Sequence, residues 1–389
     1  MDYEIVKLKE IADFNKESIG KNSNYEFINY LDTANITNGA IDTVVRIPIE
    51  EAPSRAKRIV HNNDIVYSTV RPNLCHYGIL DSPVENMIVS TGFTVISCKD
   101  DVNPYYVYNY LTQNDITSQL HSIAENSTSA YPSIKPSDLE NIEIKLPKLD
   151  IQNKIAKILT DIDKKIKINN EINNNLSEQI KYIYNDIFID YADYKRLDEI
   201  SNVTIGKTPP RSEQECFTTN KNDVKWVSIS DLGKSGMFIF DTSEKLTQEA
   251  VDKYNVKVIP KDTVILSFKL TVGRTGFTTE DMTTNEAIAH FDLNNKELNN
   301  YLYCTLTYFN YSDLGSTSSI ATAINSKIVK SIKIGIPSDE QLNKFNNLTS
   351  AMFKTIKNNE SENIKLSDLR DTLLPKLMNG EIDLDNIEI

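Results

Sequence analysis

Histidine and cysteine are scarce in this 389-residue chain, four of each, and their placement removes most metal and thiol chemistry. Cys75, Cys98, Cys216 and Cys304 are scattered, and none forms C-x-x-C. Neither a zinc site nor a disulfide framework is therefore read, and free thiols in a cytoplasmic chain are expected. His61, His76, His121 and His290 fall in no H-E-x-x-H pattern and in no triad order with a recognisable Ser or Cys elbow. Cys75 and His76 are adjacent, but neighbours in sequence point in different directions and make a poor dyad. No P-loop is present to cradle a nucleoside triphosphate. No apolar run approaches 18 residues, so no membrane span is expected. The opening MDYEIVKLKE is acidic and broken by charges, unlike a signal peptide. Positive charge is also lacking. A net charge of −13 argues against a non-specific nucleic-acid coat. These absences together predict a non-catalytic chain.

What is present is a soluble globular composition, 40% apolar and 25% charged, with length enough for two or three domains. The negative charge is uneven. Residues 1–150 hold 13 Lys/Arg against 21 Asp/Glu, a net −8, whereas residues 195–337 hold 17 of each, a net of zero. DNA binding, if it occurs, would use local basic loops, with partner subunits supplying much of the positive field.

The chain repeats itself at an offset of about 190 residues. Ile134 maps onto Ile324, Pro147 onto Pro337, Asn169-Asn170-Glu171 onto Asn358-Asn359-Glu360, and Leu176-Ser177 onto Leu366-Ser367. Leu8-Lys9-Glu10-Ile11-Ala12 likewise matches Leu197-Asp198-Glu199-Ile200-Ser201. A duplicated unit of this size implies two lobes related by an internal pseudo-two-fold axis, suited to a two-part target.

Each half reads as mixed α/β (α+β). In residues 1–147, β-rich runs at Ile65–Val70 and Phe93–Ser97 are separated by Gly, Asn, Asp and Pro. A helix is expected to start at Asn103-Pro104, with Asn as cap and Pro in the first turn. Asn103-Pro104-Tyr105-Tyr106 resembles the tetrapeptide of amino-methyltransferases. That motif carries a second proline, missing here, and no glycine-rich loop precedes it, so the helix-start reading is preferred. Residues 195–337 repeat the plan, with strands at Val224–Ser230 and Thr263–Phe268 and a helix near Leu298–Phe309.

A long helix is expected after each half, over 148–194 and 338–389. In the first, Ile151, Ile155, Ile158, Ile162, Ile166, Ile172, Leu176, Ile180, Ile183 and Ile187 fall mostly three or four apart. The second carries Leu342, Phe345, Leu348, Met352, Ile356, Ile364, Leu366, Leu369, Leu373 and Leu377 less regularly, and Pro375 should kink or end it. Ordinary core helices are far shorter. The two stripes are therefore expected to bury against each other as a coiled coil, with Ile155, Ile158, Ile162, Leu176, Phe345, Leu348 and Leu369 as partner contacts.

The polar loops carry the candidate chemistry. Arg55, Lys57 and Arg58 precede an Asn62-Asn63-Asp64 turn, and Arg71 and Asn73 follow the strand ending at Val70. In the second half, Lys207 and Arg211 lie in Gly206–Arg211, and Lys269 and Arg274 flank a glycine-containing turn. Arg and Asn can read guanine and adenine edges bidentately, while Lys and loop amides suit phosphates. Arg71/Asn73 and Lys269/Arg274 both follow the central strand of their own half, so duplication would place them on equivalent edges.

The same residues resemble a known family. Leu146-Pro147 with Gln152–Leu159, Ile336-Pro337 with Glu340-Gln341, Gly206-Lys207-Thr208-Pro209, Leu266–Lys269, Asn285–Ile288 and Leu369–Leu377 are similar, in order and at the duplicated spacing, to the specificity (S) subunit of type I restriction–modification systems. The resemblance implies two target-recognition domains (1–147 and 195–337), each reading half of an asymmetric bipartite DNA sequence, with the two long helices packed antiparallel as a spacer. It also implies two methyltransferase (M) subunits and restriction/translocase (R) subunits as partners, with S-adenosylmethionine, ATP and Mg²⁺ held by them and no cofactor or metal of this chain's own. A specificity protein for a lone methyltransferase, or a coiled-coil scaffold unrelated to DNA, are the alternatives left by the residues themselves.

Overall fold

The computed structural model describes residues 2–20, 25–127, 131–191, 193–314 and 324–384. Ala323, in the repeated segment, and the tail beyond Leu384 lie outside them. The chain divides into two compact units, one of residues 1–165 with 366–389 and one of residues 166–365. This division cuts both long helices, so each unit contains a part of each. The expected boundaries at 147, 194 and 337 instead follow the sequence repeat.

In the first unit, Leu8–Ile11 forms one helical turn because Glu10 accepts from the Lys7 backbone N–H at 3.0 Å, closing a cap over the turn. The duplicated residues do the same in the second unit, where Glu199 accepts from the Arg196 N–H at 2.7 Å. The strand before each turn pairs antiparallel with the strand that ends the half: Tyr3–Lys7 with Glu143–Pro147, and Asp193–Arg196 with Lys333–Ile336. The repeat is thus legible as a closure device, with Pro147 and Ile336 opposite the first residues of those strands.

Besides the two-stranded closing sheet, two larger sheets form each domain. In the first unit one sheet runs Ala12–Phe14, Phe93–Cys98, Ile65–Ser68, Tyr77–Ile79, all antiparallel. The second runs Val45–Pro48, Phe27–Leu31, Met87–Ser90, Ala56–Ile59, with one parallel pair, Met87–Val89 against Asn29–Leu31. The Ile65–Ser68 strand is buried at every residue, which its Ile-Val-Tyr run favours. The second unit has a five-stranded sheet: Ser201–Ile205, Ile288–Leu293, Val264–Ser267, Thr275–Thr278 and Phe238–Ile239. Its four-stranded sheet runs Phe217–Thr218, Glu244–Leu246, Val224–Val227, Thr283–Thr284. The expected strand at Val224–Ser230 stops at Val227, because Ser228 caps the helix Ile229–Lys234, its hydroxyl accepting from the Asp231 N–H.

The helix expected at Asn103-Pro104 runs Pro104–Leu111, with the Asn103 side chain accepting from the N–H groups of Tyr105 and Tyr106. Its counterpart is Asn299–Tyr308. The long helices span Leu149–Ile187 and Asp339–Met378. Pro375 does not end the second, which continues three residues further: the proline forgoes one helical hydrogen bond, while Leu377 and Met378 beyond it are buried in the first unit's core.

The helices are not a uniform apolar zipper. In the first unit Ile151, Ile155 and Leu159 join the domain core, with Leu377, Met378 and Leu384 in the same cluster. In the second unit Ile180, Ile187, Leu342, Phe345, Phe353 and Ile356 enter the core under the five-stranded sheet. Between these apolar stretches, in the second unit, the contact is polar. Asn169 donates to Glu362 and Asn363 at 2.8 Å each, Asn359 donates to Asn173 at 2.8 Å, and Asn363 donates to Asn170 at 2.8 Å. Four residues forward on one helix meet four residues back on the other, so the pair is antiparallel. In the first unit Arg370 donates to Asp163 at 2.9 Å. Of the stripe residues, Ile155, Ile162 and Phe345 are buried and Ile158 and Leu176 half-buried. Leu348 and Leu369, expected as partner contacts, are instead each 47% exposed; beside Leu348 the buried position is taken by Thr349.

Candidate nucleic-acid interface

The two central strands end in the same way. Ile65–Ser68 connects to Tyr77–Ile79 through residues 69–76, and Val264–Ser267 connects to Thr275–Thr278 through residues 268–274. Each strand closes on a serine that ties its loop. The Ser68 hydroxyl donates to the Val70 carbonyl at 3.1 Å and accepts from the Val70 N–H at 3.2 Å. The Ser267 hydroxyl donates to the Thr271 carbonyl and accepts from the Arg274 N–H at 3.1 Å. Each loop contains non-glycine residues in the left-handed region: Arg71 at φ 47° and Cys75 at φ 55°, and Leu270 at φ 62°. Gly273, at φ 95°, supplies the remaining turn of the second loop, where a side chain would be strained.

Arg71 is exposed, with its guanidinium carbon 5.7 Å from the centre of the Tyr131 ring and its N–H donating to the Pro132 carbonyl. Asn73 and Leu74 are exposed beside it. In the second loop Lys269 is exposed, its ammonium 5.7 Å from the Phe268 ring centre. Arg274 is exposed as well, but its guanidinium donates to the Ile229 carbonyl at 3.1 Å. The structure therefore places Arg71, Asn73, Lys269 and Arg274 on equivalent loops of their own domains.

The other candidate cations are differently engaged. Arg55 lies 3.8 Å from Asp32, and Lys57 is exposed. Arg58 is the next residue of the strand Ala56–Ile59 and so faces the other way from Lys57. It is half-buried, donates to the Ser18 hydroxyl at 3.4 Å, and has its pKa lowered by burial. The three residues are not one surface cluster. Lys207 donates to the Tyr254 carbonyl at 2.6 Å. Arg211 is committed further: it forks onto both oxygens of Glu244 at 2.9 Å and stacks 4.1 Å from Phe217 and 4.9 Å from Trp226. The hydrogen bonds to Glu244 raise its pKa. Gly206 opens this loop because a Cβ there would overlap Thr284 and the Asn285 carbonyl.

The rare side chains are structural. His290 is fully buried and lies between the hydroxyls of Thr204 at 2.9 Å and Thr284 at 2.6 Å. Burial pushes its pKa down to about 3, so it is neutral. His76 Nδ1 sits 2.6 Å from the Ile36 carbonyl, while Cys75 Sγ lies 3.7 Å from the Asn73 carbonyl, so the adjacent pair share no hydrogen bond. Burial raises the Cys98 thiol to about 12. Asp231 accepts from the backbone and hydroxyl groups of Ser228 and Ser243; burial opposes its charge, but these bonds more than offset it and its pKa falls. Among the described residues no three His, Cys, Asp or Glu side chains gather where they could hold a metal ion. No helix among them is long and apolar enough to cross a membrane.

A domain built on two large sheets occurs in tandem, each copy followed by a long helix, and one known family covers both copies: the type I restriction modification DNA specificity domain. That family's model matches twice, over residues 1–178 and 190–367, and the chain belongs to it. The chain is 23% identical to the type I restriction enzyme HindI specificity subunit of Haemophilus influenzae, covering 92% of this chain and 95% of that protein. It is 25% identical to the MjaIX specificity subunit of Methanocaldococcus jannaschii, covering 99% and 95%. Among solved structures, the S subunit of the type I restriction–modification system of M. genitalium shares the fold, with TM-score 0.60 at 15% identity over 97% of this chain and 96% of that one.

Proposed function

We propose that this chain is the sequence-reading subunit of a type I restriction–modification complex. It would bind double-stranded DNA, read an asymmetric two-part target with one domain per half-site, and dock two methyltransferase subunits and the restriction/translocase subunits. S-adenosylmethionine, ATP and Mg²⁺ would act on those partners, in the cytoplasm. The observation that carries the reading is the pair of equivalent loops, Ser68-anchored and Ser267-anchored, in two copies of a DNA specificity domain. Each offers cations at a strained turn: Arg71 in one, Lys269 and Arg274 in the other. The loops differ in sequence, which favours an asymmetric target.

The long antiparallel helices would serve as the spacer that fixes the unread gap. A domain exchange tests the modular reading. Residues 195–337 are replaced by the second domain of another family member, and the motif methylated by the complex is determined. One half-site should change and the other stay. Two changed half-sites, or none, would contradict it. A pull-down of a translocase with the chain and its methyltransferase separates the full restriction system from a modification-only one.

A further inference from the structure

Leu270 stands out in the second domain. It is a leucine at φ 62° and 95% exposed, so it occupies a conformation that costs an L-residue free energy while contributing almost nothing to the domain's core. Its loop is not slack. Besides the two bonds to the Ser267 hydroxyl, the Gly273 N–H donates to the Ser267 carbonyl at 3.0 Å and the Thr271 N–H to the Lys269 carbonyl at 2.7 Å. The strained tip is therefore held in place with its side chain outward.

Its surroundings narrow the partner. Lys269 and Thr271, the immediate neighbours, are exposed, and Arg274 is exposed at the far end of the loop. One apolar group between cations is unlike the contiguous apolar core of a protein interface. It matches the way DNA is held, with cations on phosphates and a leucine, phenylalanine or methionine wedged between base steps. The equivalent loop of the first domain also exposes a leucine, Leu74, 45% exposed three residues after the left-handed Arg71, but in helical backbone and between Asn73 and Cys75 rather than beside a cation.

We propose that Leu270 is a wedge for the second half-site, entering the base stack and unstacking one step so that the flanking cations reach the backbone. This deepens, and rests on, the DNA-recognition reading above. The test uses the complex of the full chain with its methyltransferase and duplexes carrying the methylated motif, with 2-aminopurine at successive positions of the second half-site. Apart from a rise at the base the methyltransferase itself flips, which Leu270→Ala should leave in place, wild-type complex should raise the fluorescence at one further step. Leu270→Ala should abolish that further rise and weaken binding to the motif by about tenfold or more. Binding to random duplex, its salt slope and the amount of bound methyltransferase should stay unchanged. Leu270→Gly, which relaxes the turn, should behave like Leu270→Ala if the side chain is what matters. Wild-type-like motif binding by both variants would overturn the proposal. So would an equal loss on random DNA, or loss of the methyltransferase without DNA. Sensitivity of wild type to thymine-to-uracil replacement, abolished in Leu270→Ala without that further fluorescence rise in wild type, would overturn it in favour of a base-methyl contact. If wild-type complex showed no motif preference at all, the DNA-recognition reading itself would have failed.

Discussion

Arg71, Lys269 and Arg274 share a loop position but not a state. Arg71 lies by the Tyr131 ring, and Lys269 by the Phe268 ring with the Glu286 carboxylate also within reach of its charge, whereas Arg274 is hydrogen-bonded to Ile229. Arg71→Ala, and separately the double change Lys269→Ala with Arg274→Ala, should weaken DNA binding by the complex. A base contact costs about 1–3 kcal/mol and relaxes specificity at one position. A phosphate contact weakens all sequences alike and lowers the salt slope by about one per charge. Titrations at several salt concentrations on matched and mismatched duplexes decide between these, and no effect from either would remove the loops from the interface. His290 makes a different prediction, for stability. Its folded pKa, about 3, lies below the ordinary value of about 6.5. Below pH ~6.5 the unfolded chain gains a proton that the folded chain refuses, so this residue's contribution to stability falls as pH drops, by up to about 1.4 kcal/mol per pH unit until the folded value. His290→Gln should flatten the acid limb of the second unit's unfolding curve; an unaltered limb would contradict this. Sequence spacing located Arg71 and Lys269 on equivalent loops because both follow β-rich runs. It missed Leu270, since exposure and a positive φ leave no mark in the residue pattern. It overvalued Arg211, whose partners Glu244 and Trp226 are brought together only by the fold.

Among the elements, the long helices show best what periodicity can and cannot tell. The three- and four-residue spacing of Ile151 to Ile187 identified a helix and its apolar face, but not which neighbours cover it. The structure assigns much of that face to the domain cores and gives the middle of the pair, in the second unit, to asparagines. Such a polar layer is a recognised way to fix register at some expense of stability. The duplicated Asn-Asn-Glu motif has diverged in use: Glu171 is exposed, whereas Glu360 is half-buried and accepts from the N–H groups of Met237 at 2.8 Å and Phe238 at 2.9 Å. Burial raises the Glu360 pKa despite those bonds. Gly236 permits the approach, because a Cβ there would overlap the Glu360 carboxylate. Glu360→Ala leaves two backbone donors without their acceptor and should destabilise the second unit by about 2–4 kcal/mol. Glu171→Ala, with nothing comparable to lose, should stay within about 0.5 kcal/mol. Chemical denaturation of the two variants measures the contrast, and equal effects would contradict the clamp assigned to Glu360.

For the whole molecule, duplication was the most legible feature, because the closing strands and capped turns must be repeated for each domain to form. The recognition surface was legible only in part. A chain with net charge −13, and −8 in its first 150 residues, shows no basic stripe to read. The positive field is expected to come largely from partner subunits. If the helices are the spacer, one heptad added to both would lengthen the pair by about 10.5 Å, and the unread gap by roughly three base pairs. An unchanged gap with both half-sites still read would rule the spacer out. The central claim, that this chain supplies sequence specificity to a methyltransferase, is tested most directly by single-molecule sequencing of genomic DNA from a methylation-free host. The host expresses a methyltransferase that binds this chain, with and without the chain itself. The account predicts a two-part methylated motif, with a fixed gap, that appears only when the chain is present. An identical methylome in both strains, with the methyltransferase folded and bound to the chain, would contradict it.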